Sequence, residues 1–411
     1  MIFNPCDIYL PTHRDDLPRW AVIACDQYTS QRDYWNKVEA IADGVPSALH
    51  IIQPEIDLDK ADGRLPSVHA KMDEYLADGT LEKAVSDGFV LTLRETSSGT
   101  RVGLIGAVDL ESYDYMPGTD LPVRASEKTI VERIPPRLKI RRGASLEATH
   151  VLMLVNDESK LLIEPLAAKK DSFKKLYDFD LMLNGGHIEG YAIEDEETLT
   201  GIQKALLTLY GMNDGFLFAV GDGNHSLATT KAYWDEVKQG LTEDELYTHP
   251  ARKALVEVVN LFDESLTFKP IHRVLFGTKD LSAAMDSYEK YLSDKGFALE
   301  RGGEERFFTD GETKIPFTVK GAEGQLDTVL LEPWAQEYAK ENGFTIDYIH
   351  GDDAVMSICR ENGNAVGILL SDIDKGGLFP SIVSGGVLPR KSFSMGEADD
   401  KRFYTETRKI K

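Results

Sequence analysis

Phe216-Leu-Phe-Ala-Val-Gly-Asp-Gly-Asn-His-Ser-Leu-Ala-Thr-Thr-Lys-Ala-Tyr-Trp234 decides how this chain is read, because its structural period changes once, at a polar knot. Phe216 to Val220 is short, aromatic and β-branched, the composition of a buried strand. Gly221 and Gly223 bracket Asp222, so the backbone can turn sharply there or approach a ligand closely. Ser226 is placed to cap a helix whose core-facing positions are Leu227, Ala228, Tyr233, Trp234 and the stem of Lys231. Strand, glycine turn and helix N-terminus in succession bring backbone N–H groups and the positive end of a helix dipole to one spot, which suits an anion. Asp222, Asn224 and His225 are the polar residues placed there. A strand-to-helix turn with no ligand is the alternative reading of the same residues.

The composition bounds what such a site can serve. A chain of 411 residues has material for two or three ordinary domains. Its apolar fraction of 42% and charged fraction of 28% are those of a soluble globular protein. No apolar run approaches the roughly 20 residues that span a bilayer. The opening Met-Ile-Phe-Asn-Pro-Cys-Asp lacks the basic region and apolar core of a signal peptide, so a cytoplasmic location and no membrane partner are expected. Cys6, Cys25 and Cys359 are odd in number and far apart, which argues against a disulfide framework and a thiolate metal site and predicts reduced, mostly buried thiols. A formal net charge of −23 opposes non-specific binding to nucleic acid.

Read in order, the chain alternates strand and helix patterns without becoming a simple parallel sheet. Trp20 to Ala24 reads as a strand, with Asp26 just past its end, where α/β proteins place ligand groups. Ser30 can cap a helix from Arg32 to Ala42. His50-Ile-Ile-Gln-Pro-Glu55 reads as a strand, with helices at 67–77 and 79–86. Residues 89–95 and 101–110 alternate around Ser97-Ser-Gly99 as a hairpin does. Residues 150–155 and 160–165 suggest a second hairpin, 196–210 a helix, and the stretch from Glu243 or Pro250 to Val259 another helix. Beyond it, strands are expected at 268–276, 306–309, 315–320, 328–331, 355–359 and 365–370, with a helix at 281–291. The fold class expected is α+β or mixed α/β, mixed sheets with helices, divided into 1–240 and 241–411.

Arg124 to Arg142 holds five arginines and two lysines in 19 residues, dense for so acidic a chain. Arginine offers a planar fork for phosphate or carboxylate, and lysine a mobile point charge. Surface ion pairing with the surplus carboxylates is the plainer reading. Near the end, Gly385-Gly-Val-Leu-Pro-Arg-Lys-Ser392 again combines glycines, a basic pair and hydroxyls. Walker-type loops, His-Glu-x-x-His, Cys-x-x-Cys and Gly-x-Ser-x-Gly are absent, and the third glycine of a dinucleotide fingerprint is missing after Gly223. Magnesium enters only as a substrate-borne ion, with Asp222 and Glu127 as its candidate carboxylates.

Asp222-Gly-Asn-His-Ser226 with Ala228 and Tyr233, the Asp26 turn, His50 to Glu55, Tyr348-Ile-His-Gly351 and Pro389-Arg-Lys-Ser392 resemble, in order, the family called domain of unknown function 1015. More distantly, the strand-Gly221-Asp-Gly-Asn-His-Ser226-helix unit is similar to the phosphate-binding box of the ParB/sulfiredoxin-like fold, whose members include ADP- or ATP-dependent free serine kinases. That resemblance implies that the box holds nucleotide phosphates and that a carboxylate activates the acceptor hydroxyl. Asn224 stands where the box has its first histidine and Ser226 where it has arginine, so Arg124, Arg133, Arg137 or Lys391 would have to supply the missing charge.

The resulting expectation is a composite site in which Asp222 and His225 face Arg124 to Arg137 and Lys391. Asp222, His225 and Glu127 are its candidate catalytic residues. Gly221, Gly223, Asn224, Ser226, Arg124, Arg133, Arg137, Lys391, Ser392 and Asp26 are its candidate phosphate or substrate ligands. The function expected is a nucleotide-dependent phosphotransferase acting on a small hydroxy metabolite, using ADP or ATP with magnesium and no tightly bound cofactor. A non-enzymatic nucleotide- or metabolite-binding regulator is the alternative, and nucleic-acid processing a lesser one.

Overall fold

The computed structural model describes residues 1–389 and 391–411; Arg390, one of the basic pair noted above, lies outside the described residues. The chain forms two units, Met1–Leu266 with Gly396–Lys411, and Thr267–Met395. The expected division after residue 240 is therefore displaced. The first unit continues through its central strand Lys253–Asn260, and the chain returns to it at the end.

In the first unit a mixed sheet carries the strand read from the opening stretch, Phe218–Asp222. It runs parallel to Val123–Ala125 on one side and antiparallel to Val151–Val155 on the other. Lys253–Asn260 follows, parallel to Val151–Val155 and antiparallel to Gly99–Asp109, which pairs in turn with Leu81–Thr96. Phe3, Phe89 and Phe218 meet under the sheet, with ring centroids 5.1 and 5.8 Å apart. Aromatic pairs at such spacings contribute beyond the area they bury. The helix Asn224–Val237 buries Leu227, Ala228, Tyr233 and Trp234 and packs beside Ile134–Gly143.

Several expectations fail here for identifiable reasons. Leu81 and Val85 recur every four residues, which reads as helix, yet they lie in the strand Leu81–Thr96. Two register shifts against Cys6–Pro11 break the two-residue alternation that would have marked the strand. Lys253–Asn260 is buried from Ala254 onward, and a continuous apolar run does not distinguish strand from helix. His50 to Glu55, expected as a strand, starts inside the 3-10 turn Ala48–Ile51, which the Ser47 hydroxyl caps, and ends at Glu55, where the 3-10 segment Glu55–Lys60 begins after Pro54. The second hairpin is replaced by a turn in which Asp157 Oδ2 accepts from the N–H groups of Leu161 (2.7 Å) and Leu162 (2.9 Å), leading to the short helix Glu164–Ala167.

The last residues weave ionic groups into this unit. Arg402 pairs with Glu257 at 3.0 Å and with Glu406, and Arg101 lies 3.7 Å from Glu257. Glu147 accepts from Arg408 at 2.8 Å and from Arg141. All seven side chains are buried or nearly so. Such pairs hold only because each charge is matched.

The second unit is built on an antiparallel sheet in the order Ala298–Arg301, Lys314–Lys320, Phe307–Thr309, Ala365–Leu369, Phe268–Phe276 and Thr345–His350. Its main core gathers Tyr288 from the helix Leu281–Asp294, Trp334 from Asp327–Asn342, and Phe308 and Phe317 from the sheet. Residues 328–331 and 355–359, expected as strands, lie in the helices Asp327–Asn342 and Asp352–Asn362. Among the described residues no helix is long and apolar enough to cross a membrane.

Candidate functional site

The strand Phe218–Asp222 ends at Gly223, whose φ of +85° is left-handed, and the helix starts at once with Asn224. Ser226 therefore lies in the first turn and not at the cap, its carbonyl accepting from the Thr230 hydroxyl at 3.0 Å. No acidic residue stands in that first turn, and the nearest carboxylate in sequence is Asp222, one residue before the Gly223 cap. Gly223 is required twice over: by its backbone angle, and because a Cβ there would lie 3.0 Å from His150 Cδ2 and 3.2 Å from Val151 Cα. Gly221 answers to packing instead, since its Cβ would meet the Leu154 side chain at 2.9 Å.

The polar residues of the box clamp a neighbouring loop. Asn224 Oδ1 accepts from Ser126 N–H at 3.1 Å, and its amide donates to Ser126 Oγ at 3.2 Å. His225 Nε2 accepts from Ile130 N–H at 3.2 Å, which leaves the proton of the neutral ring on Nδ1. That engagement removes Nε2 as a proton acceptor for a substrate. Glu127 sits between these anchors, half-buried.

Asp222 Oδ1 accepts from the N–H of Gly223 at 2.8 Å, and Oδ2 pairs with Lys401 at 3.1 Å. A magnesium ion at Asp222 would have to displace that lysine. The described residues with metal-ligand spacing are instead Asp178, His187 and Glu189, on an exposed hairpin where Lys170 already pairs with Glu189 at 2.7 Å.

Lys401 also acts on Asp26, and Asp26 Oδ2 lies 3.7 Å from His150 Nε2. Burial by itself raises the Asp26 carboxyl. The His150 imidazolium, the Gln27 amide and Lys401 outweigh it, and the group lies well below its usual range. Burial likewise opposes charge on His150, but Asp26 overrides it and holds the ring protonated well above the ordinary histidine value. His150 Nδ1 and the Tyr404 hydroxyl are 2.5 Å apart, and Tyr404 also accepts from Cys25 N–H at 3.0 Å. Two acids and two bases thus surround the start of one helix, Asp222 with Lys401 and Asp26 with His150.

The arginine segment does not converge on this point as expected. Arg124 donates to Leu121 O at 2.9 Å and stacks on Phe216, 4.4 Å from its ring centre. Phe216 precedes Asp222 by six residues, so Arg124 turns toward the far end of the strand, about 20 Å away along an extended backbone. Arg137 is paired with Glu55, whose N–H donates to Cys25 O at 2.8 Å. Arg133 is exposed at the start of Ile134–Gly143. Lys391 and Ser392 belong to the second unit. Ser392 is fully buried there, its hydroxyl donating to Pro389 O at 2.7 Å and accepting from Thr328 at 2.9 Å. The groups that sequence reasoning passed over are Ser126, His150, Lys401 and Tyr404. His150 directly precedes a strand and Tyr404 lies within one, so neither carried a local spacing signal.

Similar solved structures are remote. A free serine kinase in complex with AMP is 9% identical, with TM-score 0.38, over 77% of this chain and 95% of that one. A conserved hypothetical protein from Pyrococcus furiosus is 9% identical, with TM-score 0.34, over 74% and 94%. SbnI with C-terminal truncation from Staphylococcus aureus is 9% identical, with TM-score 0.36, over 71% and 82%. No curated protein matches the sequence. Residues 6–333 match the family described as "Protein of unknown function (DUF1015)", and the chain belongs to that family.

Proposed function

We propose that the protein binds a nucleotide through its phosphates at the start of the helix Asn224–Val237 and transfers a phosphoryl group to the hydroxyl of a small metabolite, serine being the first to test. The observation that carries the reading is the Gly223 turn. It aims at one spot a helix whose first turn holds no acidic residue, and sets Lys401 and the His150 imidazolium beside it. Phosphoryl transfer needs positive charge on the non-bridging oxygens and a base at the acceptor hydroxyl. In this reading the nucleotide draws Lys401 from Asp222 to the phosphates. Asp222 then takes the hydroxyl proton as the acceptor oxygen attacks phosphorus and the leaving nucleotide departs. The three free cysteines support a reducing, cytoplasmic setting.

The test is a titration of the full chain with AMP, ADP and ATP, with and without magnesium, followed by phosphoryl transfer to serine. At a ligand concentration of 100 times Kd, binding stabilises the fold by about 2.7 kcal/mol, readable as a thermal shift. Asp222→Asn is expected to lower turnover by about 10²–10⁴-fold and to change nucleotide affinity far less. No shift with any nucleotide rejects the reading. A regulator that binds without turnover is favoured by one observation, that both Asp222 oxygens are already engaged. A thermal shift with no transfer to any hydroxy metabolite would establish it.

A further inference from the structure

The helix Ala61–Ala77 and the segment 44–50 line a pocket of about 560 Å³ that shares no residue with the Gly223 turn. Arg64, Val68, Lys71 and Tyr75 recur along the helix in steps of four, three and four, so one face of it forms a wall, and Val45 and Pro46 supply apolar surface from the segment. Charge on this face runs against the helix dipole. Arg64 lies in the first turn, Glu74 in the last and Asp78 at the cap, and a cation at a helix start or an anion at its end destabilises the helix.

Two groups in the pocket lack the partners that such groups ordinarily have. Arg64 has no carboxylate in ion-pair contact among the described residues; its Nη2 donates to Leu49 O at 2.8 Å. Burial pulls its guanidinium below the ordinary arginine value, and Asp57 and Glu39 only partly offset the loss. In a chain with 69 acidic and 46 basic residues, a desolvated arginine without a carboxylate is an exception. His50 Nδ1 is 2.7 Å from the Tyr75 hydroxyl, which accepts from Ser47 N–H at 3.2 Å. The hydroxyl hydrogen is then available to Nδ1, which places the proton of the neutral ring on Nε2, and Nε2 has no hydrogen-bond partner among the described residues. Burial, Lys71 and Arg64 together hold this ring below the ordinary histidine value. The charged and titratable groups that line the pocket with His50 are Arg64, Lys71, Glu74, Tyr75 and Asp78. Lys71 donates to both oxygens of Glu74 at 2.7 Å, but this is a partly exposed pair, the kind that contributes least, so a stronger anion can draw Lys71 away.

We propose that this pocket binds a phosphate ester of a small metabolite, with Arg64, His50 and Lys71 as the ligands of the phosphate. The guanidinium fork takes two oxygens, and His50 Nε2–H and the Lys71 ammonium take the others. Donors from three side chains suit a tetrahedral dianion, whereas a planar carboxylate is satisfied by one guanidinium. The volume exceeds what phosphate alone fills and lies within the roughly 300–1,000 Å³ of small-molecule sites, with Val45, Pro46 and Val68 as contacts for a carbon skeleton. Glu74 and Asp78 oppose a second phosphate, which favours a monoester over a nucleoside diphosphate.

The experiment titrates His50 by NMR in the full chain, its signal assigned by its loss in His50→Gln, with and without glycerol 3-phosphate, ribose 5-phosphate, inorganic phosphate and succinate. Without ligand, His50 is expected to titrate below the usual value of about 6.5. A saturating phosphate ester should raise that midpoint by about one pH unit or more, the mark of an anion that binds the protonated ring about tenfold more tightly than the neutral one. Calorimetric Kd should weaken about tenfold or more in Arg64→Met and in Lys71→Met. Lys71 is partly exposed, so its variant serves should Arg64→Met fail to fold. A His50 midpoint unmoved by both esters overturns the proposal, as does binding that neither substitution weakens. Succinate or inorganic phosphate bound as tightly as the esters overturns the assignment to an ester. An ester held only at the Gly223 turn would give heat with His50 unmoved, so the outcome does not depend on the nucleotide reading above.

Discussion

Replacing Gly223 with alanine separates two costs that the structure assigns to that one position. A left-handed backbone angle costs an L-residue about 1–2 kcal/mol. The added methyl would also sit 3.0 Å from His150 Cδ2 and 3.2 Å from Val151 Cα. Val151 Cα belongs to a central strand and cannot swing aside, so overpacking adds about 1–3 kcal/mol. The sum, about 2–5 kcal/mol, is a large part of the roughly 5–15 kcal/mol that holds an ordinary domain folded. Gly118 is the control, since its φ is +79° and a Cβ there meets nothing within 4 Å. Gly118→Ala should lose only the backbone term. The assay is urea unfolding followed by tryptophan fluorescence, because Trp20, Trp35 and Trp234, three of the chain's four tryptophans, lie in the first unit. With a slope of about 3 kcal/mol/M, a loss of about 3 kcal/mol moves the midpoint by about 1 M. Equal shifts for the two alanine variants would refute the claim that the turn is pressed against His150 and Val151.

Other perturbations read other parts of the molecule. Glu257→Ala leaves Arg101 and Arg402 buried without their shared carboxylate and should cost about 3–5 kcal/mol in the same urea assay. Glu312→Ala, which breaks an exposed pair with Arg360, should stay within about 0.5 kcal/mol. In NMR titration the His150 ring should remain protonated well above the usual histidine value of about 6.5, and Asp26→Asn should bring it down. A raised histidine contributes stability that is complete below its unfolded value and lost as pH rises through its folded one. The depressed Asp26 contributes stability present above its unfolded value of about 3.9 and lost as pH falls through its folded one. The stability gap between the native chain and Asp26→Asn should therefore be widest between those values and narrow toward alkaline pH. A His150 that titrates at the ordinary value in both chains contradicts the pairing.

The parts of the fold that were legible are those where local pattern and tertiary role agree. Phe218 to Val220 is apolar and buried, Gly223 turns, and Leu227, Ala228, Tyr233 and Trp234 return at helical spacing. Residues 89–95 and 101–109 alternate and pair as read. Reading failed where tertiary structure overrode the period, as at Leu81 and Val85 in a strand with a shifting register. The candidate site was half legible for a different reason. Asp222, Asn224 and His225 lie next to one another in sequence, and Asp26 was marked by its strand end. Lys401 and Tyr404 reach the box from the last residues of the chain, and no spacing rule links residue 222 to residue 401. The arginine segment misled because density of charge does not give direction; Arg124 follows its strand away from the turn, and Arg137 is neutralised by Glu55.

The return of residues 396–411 to the first unit fixes an order of events during synthesis. Glu257 and Arg402 are 145 residues apart. At about 5–20 residues per second, a ribosome that has made Glu257 needs roughly 7–30 s more to deliver Arg402. During that interval the central strand Lys253–Asn260 exists with Glu257 lacking Arg402, and Glu147 waits likewise for Arg408. The second unit is made entirely within the gap and can fold before the first one closes. The nascent first unit is then an open sheet awaiting its last strands, the stage at which a chaperone has something to hold.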